Sequence, residues 1–181
     1  MTYEPGRVIW ITGLSGAGKS TLAHEVEEKL RHAGKAVVML DGDELRAVFG
    51  AAEANVENHG REGRLALAKK YSHLCLILAS QGLTVVIATI SLFRELHSWN
   101  RANLPGYFEV YLKVPVEELR RRDPKGIYRR FDAGELTSVA GMDLTIDEPE
   151  AADWVVEFEP RQSVSVLAEK LNQLLDRSDK P

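Results

Sequence analysis

Short apolar runs alternate along this chain with longer segments in which apolar residues recur at helical spacing. The short runs are rich in β-branched residues and do not alternate with polar positions, which is typical of strands buried on both faces of a parallel sheet. The predicted strands are Arg7–Thr12, Ala36–Leu40, Leu83–Ile90, Phe108–Val114 and Trp154–Phe158. The predicted helices are Lys19–His32, Arg61–Gln81, Phe93–Asn103, Pro115–Arg122 and Ser163–Arg177. This order predicts a three-layer α/β domain with a five-stranded parallel sheet and right-handed crossovers.

Length and composition favour an ordinary globular protein. We expect the 181 residues to form one domain, with Gly34 and Gly82 ending helices and a disordered tail at 177–181. The net charge of −4 argues against a general binder of nucleic-acid polymers or membrane surfaces. The single cysteine, Cys75, lies on an apolar helical face and is interpreted as a buried structural thiol. No signal peptide or membrane-spanning run is expected, so a cytoplasmic location fits best.

The stretch "ITGLSGAGKSTL" joins the first predicted strand to the first predicted helix. Gly13, Gly18, Lys19 and Ser20 fit the phosphate-binding pattern G-x-x-x-x-G-K-[ST]. Glycines let successive backbone N–H groups point at one anion, and the helix adds its positive N-terminal dipole. A simple glycine-rich turn is the alternative, but the strand before the motif and the helix after it favour a P-loop. The predicted ATP-binding residues here are Gly13, Ser15, Gly16, Ala17, Gly18, Lys19, Ser20 and Thr21.

Two carboxylates, Asp41 and Asp43, follow the second predicted strand in "LDGDELR". Ligands collect at the carboxyl ends of parallel strands, so both acids are expected beside the phosphate site. One would hold the hydration shell of Mg²⁺ together with Ser20, and the other would accept a proton from an attacking hydroxyl. The alternative is a tight turn followed by an Asp N-cap for a helix at Glu44, and Asp43 is able to serve both roles.

The segment Arg120–Arg130 carries five arginines and a lysine and precedes a glycine-containing stretch. A solvated helix face is the usual meaning of such a charge run. Next to a triphosphate site, a lid over residues 121–141, hinged at Gly126 and Gly134, is the better interpretation because closure excludes water from phosphoryl transfer. Trp99 is interpreted as packing rather than as a platform for stacking a base.

The residues and their order resemble the adenylylsulfate (APS) kinase family from Val8 to about Glu157. The resemblance rests on "GLSGAGKST", "LDGDELR", "TISLFRE", "EVYLKVPVEELRRRDPKGIYRR" and "AGELTSVAGMD". It implies transfer of the ATP γ-phosphoryl group to the 3′-hydroxyl of a nucleotide, with Mg²⁺ as cofactor and a homodimer as the assembly. By motif position, it implies catalytic roles for Asp43, Lys19 and Asp41, and packing of Arg122 on the ATP adenine. The acceptor-binding candidates are Asp43, Arg46, Arg61, Arg64, Ile90, Ser91 and Lys125.

Two departures from the family pattern concern the acceptor. The family's two phenylalanines sandwich the APS adenine, whereas this chain has Val139 in "SVAG" and a shorter "NVENHGREGRLALAKKY" after "DGD". Losing two stacking contacts, each worth about 1–3 kcal/mol, would weaken adenine recognition severely. Arg61 and Arg64 would bind acceptor phosphates or remain solvated helix residues.

A branch of the family associated with surface polysaccharides shares the "KKYSHLC" and "ATISLF…WNR…YFEVYLKVP" patterns. That resemblance implies a cytidine diphosphoramidate 3′-kinase, whose smaller base suits a site without the aromatic clamp. Two further hypotheses stay open: another small-molecule P-loop kinase, for example a sugar kinase, and a non-catalytic nucleotide-binding module. The "LDGDELR" and "DPKGIY" pair disfavours the former. Intact Lys19, Ser20, Asp41 and Asp43 disfavour the latter.

Overall fold

A five-stranded parallel sheet forms the centre of the computed structural model, which describes residues 4–49 and 60–178. The strands stand side by side in the order β2-β3-β1-β4-β5, and every neighbouring pair is parallel. The strands are β1 Val8–Gly13, β2 Val37–Asp41, β3 Thr84–Thr89, β4 Phe108–Lys113 and β5 Trp154–Glu157. The helices are α1 Lys19–His32, α2 Gly42–Val48, α3 Arg61–Ala79, α4 Arg94–Asn103, α5 Val116–Arg122, α6 Ile127–Asp132 and α7 Val164–Ser178. The predicted α/β architecture is confirmed.

Helices cover both faces of the sheet, and the side chains of β1 show how. Ile9 and Ile11 point into one core, where α1 and α7 pack. Val8 and Trp10 point into the other core, where α3 and α4 pack and where Cys75 is fully buried. Because every residue of β1 is buried, on one face of the sheet or the other, apolar and polar residues do not alternate along this strand. Among the described residues, no helix is long and apolar enough to cross a bilayer.

Two short helices, α2 and α6, lie where the sequence pattern predicts no regular helix of its own. A carboxylate stabilises the start of each one by accepting backbone N–H bonds. Asp41 caps α2 through a 2.8 Å bond from the Asp43 N–H, so the cap is Asp41 and not Asp43. Asp123 accepts the N–H groups of Tyr128 and Arg129 at the start of α6. Helices α2 and α6, of seven and six residues, carry little periodicity, whereas the equally short α5 is marked in the sequence by Pro115 at its start.

The chain end corrects one prediction. Helix α7 continues to Ser178, so Arg177 and Ser178 are helical and the predicted disorder from 177 is wrong for these two residues. The hydroxyl of Ser178 accepts a 2.8 Å bond from the Arg7 guanidinium, which anchors the end of the helix beside β1. Residues 179–181 lie outside the described residues. Residues 50–59, which include the start of "NVENHGREGRLALAKKY", also lie outside them.

The parallel sheet brings several loops to one edge. The carboxyl end of β1 leads to the P-loop, β2 leads to α2, and β3 leads to Ile90 and Ser91. The chain after β4 enters α5 and α6, and the chain after β5 continues at Phe158. Charged and glycine-rich segments from five strands therefore meet at this edge, which is where an open α/β sheet binds its ligands.

Candidate active site

The P-loop is a glycine-shaped turn that opens directly into α1. Gly16 and Gly18 have φ values of 79° and 98°, in the left-handed region that favours glycine. Gly18 is the N-cap of α1, and no side chain caps the first turn of this 14-residue helix. The N–H groups at this end and the helix dipole therefore favour an anion, as a nucleotide phosphate requires.

The P-loop lysine is half-buried beside this turn. Lys19 donates from Nζ to the carbonyl of Leu14 at 2.8 Å, and its side chain lines the cavity described below. Burial and, to a smaller extent, the nearby positive charge of Lys125 lower the pKa of Lys19 to about 8, although Asp43 and Asp41 offset part of the effect. At neutral pH, Lys19 is still mostly protonated and presents a cation to the phosphate site.

Ser20 and Asp41 form a close pair where α1 and β2 face each other. The Ser20 hydroxyl donates to Oδ2 of Asp41 at 2.5 Å, while Oδ1 of Asp41 accepts the Asp43 N–H. Mg²⁺ typically takes one or two protein oxygens and completes its shell with water and phosphate. A hydroxyl and a carboxylate in contact beside a phosphate loop fit that pattern. Among residues 4–49 and 60–178, no cluster of three or more His, Cys, Asp or Glu side chains suits a fully protein-bound metal.

Asp43 stands opposite the P-loop and contacts two cations. Its Oδ2 accepts a hydrogen bond from Lys125, and Oδ1 lies 3.6 Å from the Arg46 guanidinium. Partial burial raises the pKa of Asp43, but the hydrogen bond and charge of Lys125, with Arg46 and Lys19, outweigh burial and hold the pKa below its ordinary value. Asp43 is therefore a carboxylate at neutral pH and is able to accept a proton from a bound hydroxyl.

One large cavity of about 1030 Å³ contains most of the predicted site. A second, smaller cavity of about 80 Å³ adjoins it and shares the Arg46, Arg64 and Ile90 side chains. Ser91 lines only the smaller one, and Gly13 and Arg61 line neither. The predicted residues that line the large cavity are Ser15, Gly16, Ala17, Gly18, Lys19, Ser20, Thr21, Asp41, Asp43, Arg46, Arg64, Ile90, Arg122 and Lys125.

The two predicted acceptor arginines of α3 are in different surroundings. Arg64 faces both cavities, and its guanidinium donates to the carbonyl of Ser138 at 2.6 Å. Burial and the neighbouring Arg46 lower the pKa of Arg64, so a bound anion would relieve the repulsion between the two cations. Arg61 instead forms hydrogen-bonded ion pairs with Glu95 at 3.0 Å and with Asp147 at 2.8 Å. These pairs tie α3 to α4 and to the segment that follows the predicted lid.

Sequence reasoning missed an aromatic residue at the far end of the large cavity. The Arg122 guanidinium lies 5.0 Å from the centroid of the Phe158 ring and donates to Glu118 at 2.7 Å. Phe158 lines the cavity together with Val156 and Leu167 and forms part of its apolar end. Phe158 directly follows β5, at the carboxyl edge of the sheet. This position is the sequence signal that could have identified it as a site residue.

The segment predicted as a lid contains both fixed and open parts. Tyr128, in α6, is only 1% exposed and donates its hydroxyl to the carbonyl of Ser15 in the P-loop at 2.8 Å. Farther along, Asp143 accepts the N–H groups of Ser138 and Val139, both at 2.7 Å. Gly134 lies between these anchors with a φ of 73° and with open space where a Cβ would stand. Motion of this segment stays a prediction.

Comparison with known proteins gives one consistent result. The chain matches the adenylylsulphate kinase family over residues 5–157. It is 36% identical to the cytidine diphosphoramidate kinase of Campylobacter jejuni, covering 94% of this chain and 95% of that protein. It is 37% identical to the adenylyl-sulfate kinase of Paraburkholderia xenovorans, covering 87% and 86%. The structure of the Mycobacterium tuberculosis APS kinase CysC in complex with AMPPNP and APS superimposes with a TM-score of 0.85 at 33% identity, covering 95% of this chain and 98% of that one.

Proposed function

This chain belongs to the adenylylsulphate kinase family and is a phosphotransferase with a hydroxyl acceptor, and we propose that its acceptor is the 3′-hydroxyl of a nucleotide. The donor is ATP, and the primary candidate reaction converts APS into its 3′-phosphorylated product. The observation that carries this proposal is the position of Asp43, a carboxylate facing Lys19 and Lys125 in one cavity.

The ATP phosphates bind in the P-loop, from Gly13 to Thr21, and the positive end of α1 and Lys19 neutralise their charge. Ser20 and Asp41 would hold Mg²⁺ and its waters, and the ion would help to neutralise the charge of the phosphates. Removal of the ion with EDTA is expected to stop turnover. The adenine lies against Arg122 at the apolar end of the cavity.

The acceptor enters from the side of the smaller cavity, where Arg46 and Arg64 are positioned to bind its anionic groups. Asp43 accepts the proton of the acceptor hydroxyl as it attacks the γ-phosphorus in line with the departing ADP. Lys125 then exchanges its contact with Asp43 for one with the transferred group. Because these residues do little covalent chemistry, the rate depends on position and charge neutralisation.

A cytidine diphosphoramidate acceptor is the second candidate, and a specific observation favours it. Val139, 8% exposed, lines the large cavity at the position where the family pattern has a stacking phenylalanine. An aliphatic side chain gives up a contact worth about 1–3 kcal/mol to a stacked base. The 36% sequence identity to a cytidine diphosphoramidate kinase agrees with an acceptor site that does not depend on stacking against a purine.

One assay separates these acceptors. ADP release is measured with APS and with a cytidine diphosphate derivative side by side, with a no-acceptor control, and the product is analysed by ³¹P NMR for a new 3′-phosphate. We expect ADP release to depend on one of the two nucleotides. ATP consumption that ignores both and responds to a sugar would refute the proposal, as would nucleotide binding without turnover.

The same proposal includes a homodimer acting in the cytoplasm, in keeping with the family resemblance of the motifs. Light scattering coupled to size-exclusion chromatography measures the mass of the assembly. A mass near twice the 20.2 kDa of one chain is the expected result.

A further inference from the structure

Carbonyl groups of the P-loop accept hydrogen bonds from surrounding side chains. A carbonyl oxygen facing a phosphate would repel it, so each carbonyl has to be turned outward for the neighbouring N–H groups to face the anion. The Leu14 carbonyl accepts from Lys19 Nζ at 2.8 Å and from the Ala17 N–H at 3.2 Å. The Ser15 carbonyl accepts from the hydroxyl of Tyr128 at 2.8 Å. This second bond comes from a residue 113 positions later in the chain.

Tyr128 is held firmly enough to act as an anchor. Its side chain is 1% exposed in the core that packs against α1 and does not line the large cavity. Its backbone N–H donates to the carboxylate of Asp123, which fixes the first turn of α6. Burial raises the pKa of Tyr128 to about 12, so the phenol stays protonated and donates its hydrogen at all physiological pH values.

Peptide planarity connects this bond to nucleotide binding. In a trans peptide, the C=O of one residue and the N–H of the next point in opposite directions. The bond that holds the Ser15 carbonyl toward Tyr128 therefore turns the N–H of Gly16 away from Tyr128. Gly16 lines the cavity and has a φ of 79°. Because glycine has no Cβ, the opposite orientation of the Ser15–Gly16 peptide is also sterically accessible. Without an external partner, little would keep this peptide in one orientation.

We propose that Tyr128 is a positioning residue for ATP: its hydroxyl fixes the Ser15–Gly16 peptide so that the Gly16 N–H is presented to a nucleotide phosphate. Tyr128 does not touch the nucleotide. It acts through the P-loop backbone and links the orientation of that loop to α6, the helix that begins two residues after Lys125. This inference rests on the proposed function, since it assumes that the P-loop binds a nucleotide triphosphate.

The test compares Tyr128→Phe with Tyr107→Phe, each of which removes one phenol oxygen that donates a partly buried hydrogen bond. Tyr107 donates to Glu109 at 2.9 Å, just before β4 and at the opposite edge of the sheet from the cavity, and it lines neither cavity. Calorimetry measures the affinity for Mg²⁺–AMPPNP, and thermal unfolding measures stability. We expect the loss of one fixed hydrogen bond to weaken AMPPNP binding about five- to tenfold in Tyr128→Phe, with no change in Tyr107→Phe. The acceptor KM should stay the same in both variants.

The outcomes are distinguishable. A Tyr128→Phe protein that unfolds at lower temperature but binds AMPPNP within twofold of the wild type would overturn the inference and leave a purely structural role. In ¹⁵N-labelled wild-type protein, the Gly16 amide resonance should shift when AMPPNP is added. An unshifted resonance would also overturn the inference, whatever the variants do. A wild-type protein that does not bind AMPPNP at all would instead refute the proposed function.

Discussion

Replacing Asp43 with asparagine removes the proposed base and keeps the size of the side chain. In the wild type, the carboxylate faces the P-loop across the cavity and is ionised at neutral pH because Lys125, Arg46 and Lys19 outweigh the effect of burial on its pKa. An amide cannot take up the proton of the acceptor hydroxyl. Loss of a general base lowers kcat by about 10²- to 10⁴-fold. This range corresponds to about 3–5 kcal/mol of transition-state stabilisation.

The same substitution is expected to change the free energy of unfolding only slightly. The Lys125 and Asp43 side chains are 53% and 54% exposed, and an ion pair of this exposure contributes about 1 kcal/mol or less. For a chain of this length, 1 kcal/mol shifts the melting temperature by about 2–4 °C. Unfolding therefore cannot account for a loss of two or more powers of ten in kcat at 25 °C.

A matched control variant removes an exposed carboxylate of similar surroundings outside the cavity. Asp132 pairs with Arg120 at 2.9 Å, with side-chain exposures of 49% and 46%, and neither residue lines the two cavities. Asp132→Asn removes the same charge from a similar pair and should leave kcat within twofold of the wild type. ADP release is measured at saturating ATP and acceptor, and AMPPNP affinity is measured separately. The reasoning fails if Asp43→Asn retains kcat within threefold, or if Asp132→Asn loses as much.

Three further predictions concern charged and apolar contacts in and outside the cavity. Lys125→Met removes the hydrogen bond and charge that hold the pKa of Asp43 down against burial, so the pKa rises and the acid limb of the kcat–pH profile should move to higher pH; an unmoved limb would contradict this. Glu109→Ala should lower the free energy of unfolding by about 1–3 kcal/mol in urea titrations, because it removes the 3%-exposed carboxylate that binds the buried His97 ring at 2.6 Å and the Tyr107 hydroxyl at 2.9 Å. A loss below about 0.5 kcal/mol would show that these contacts are dispensable. Val139→Phe should raise the kcat/KM ratio of an adenine over a cytidine acceptor by about 5- to 150-fold if stacking is restored, and an unchanged ratio would count against the acceptor argument.

Much of the fold and the phosphate side of the site could be predicted from the sequence because the determining features are local. The P-loop pattern is contiguous, and the neighbouring strand and helix are apolar segments of clearly different period. Asp41 and Asp43 were found because they lie at the carboxyl end of the second strand, and the carboxyl ends of parallel strands share one edge. Phe158 follows β5 and lies at this edge for the same reason.

Contacts between distant segments had no such local pattern. Arg61 pairs with Glu95 and Asp147, which lie 34 and 86 positions away, and nothing in the sequence around Arg61 distinguishes such a network from a phosphate contact. The bond from Tyr128 to Ser15 is equally remote. The motif "DPKGIY" marks a special segment, but which of its side chains faces the P-loop is decided only by the packing of α6.

The order of the strands explains why a phosphate loop and a base can share this edge without touching. The P-loop follows β1 and Asp43 follows β2, and β3 stands between these two strands. Two strand spacings separate the loops by about 9–10 Å, a gap that a phosphate and an acceptor hydroxyl are the right size to fill. Asp41 spans part of this gap, since its two oxygens bind the Ser20 hydroxyl at 2.5 Å and the Asp43 N–H at 2.8 Å. One carboxylate thus connects the proposed metal position with the backbone of the proposed base, so a change at Asp41 should disturb both positions together and cost more than the loss of either contact alone.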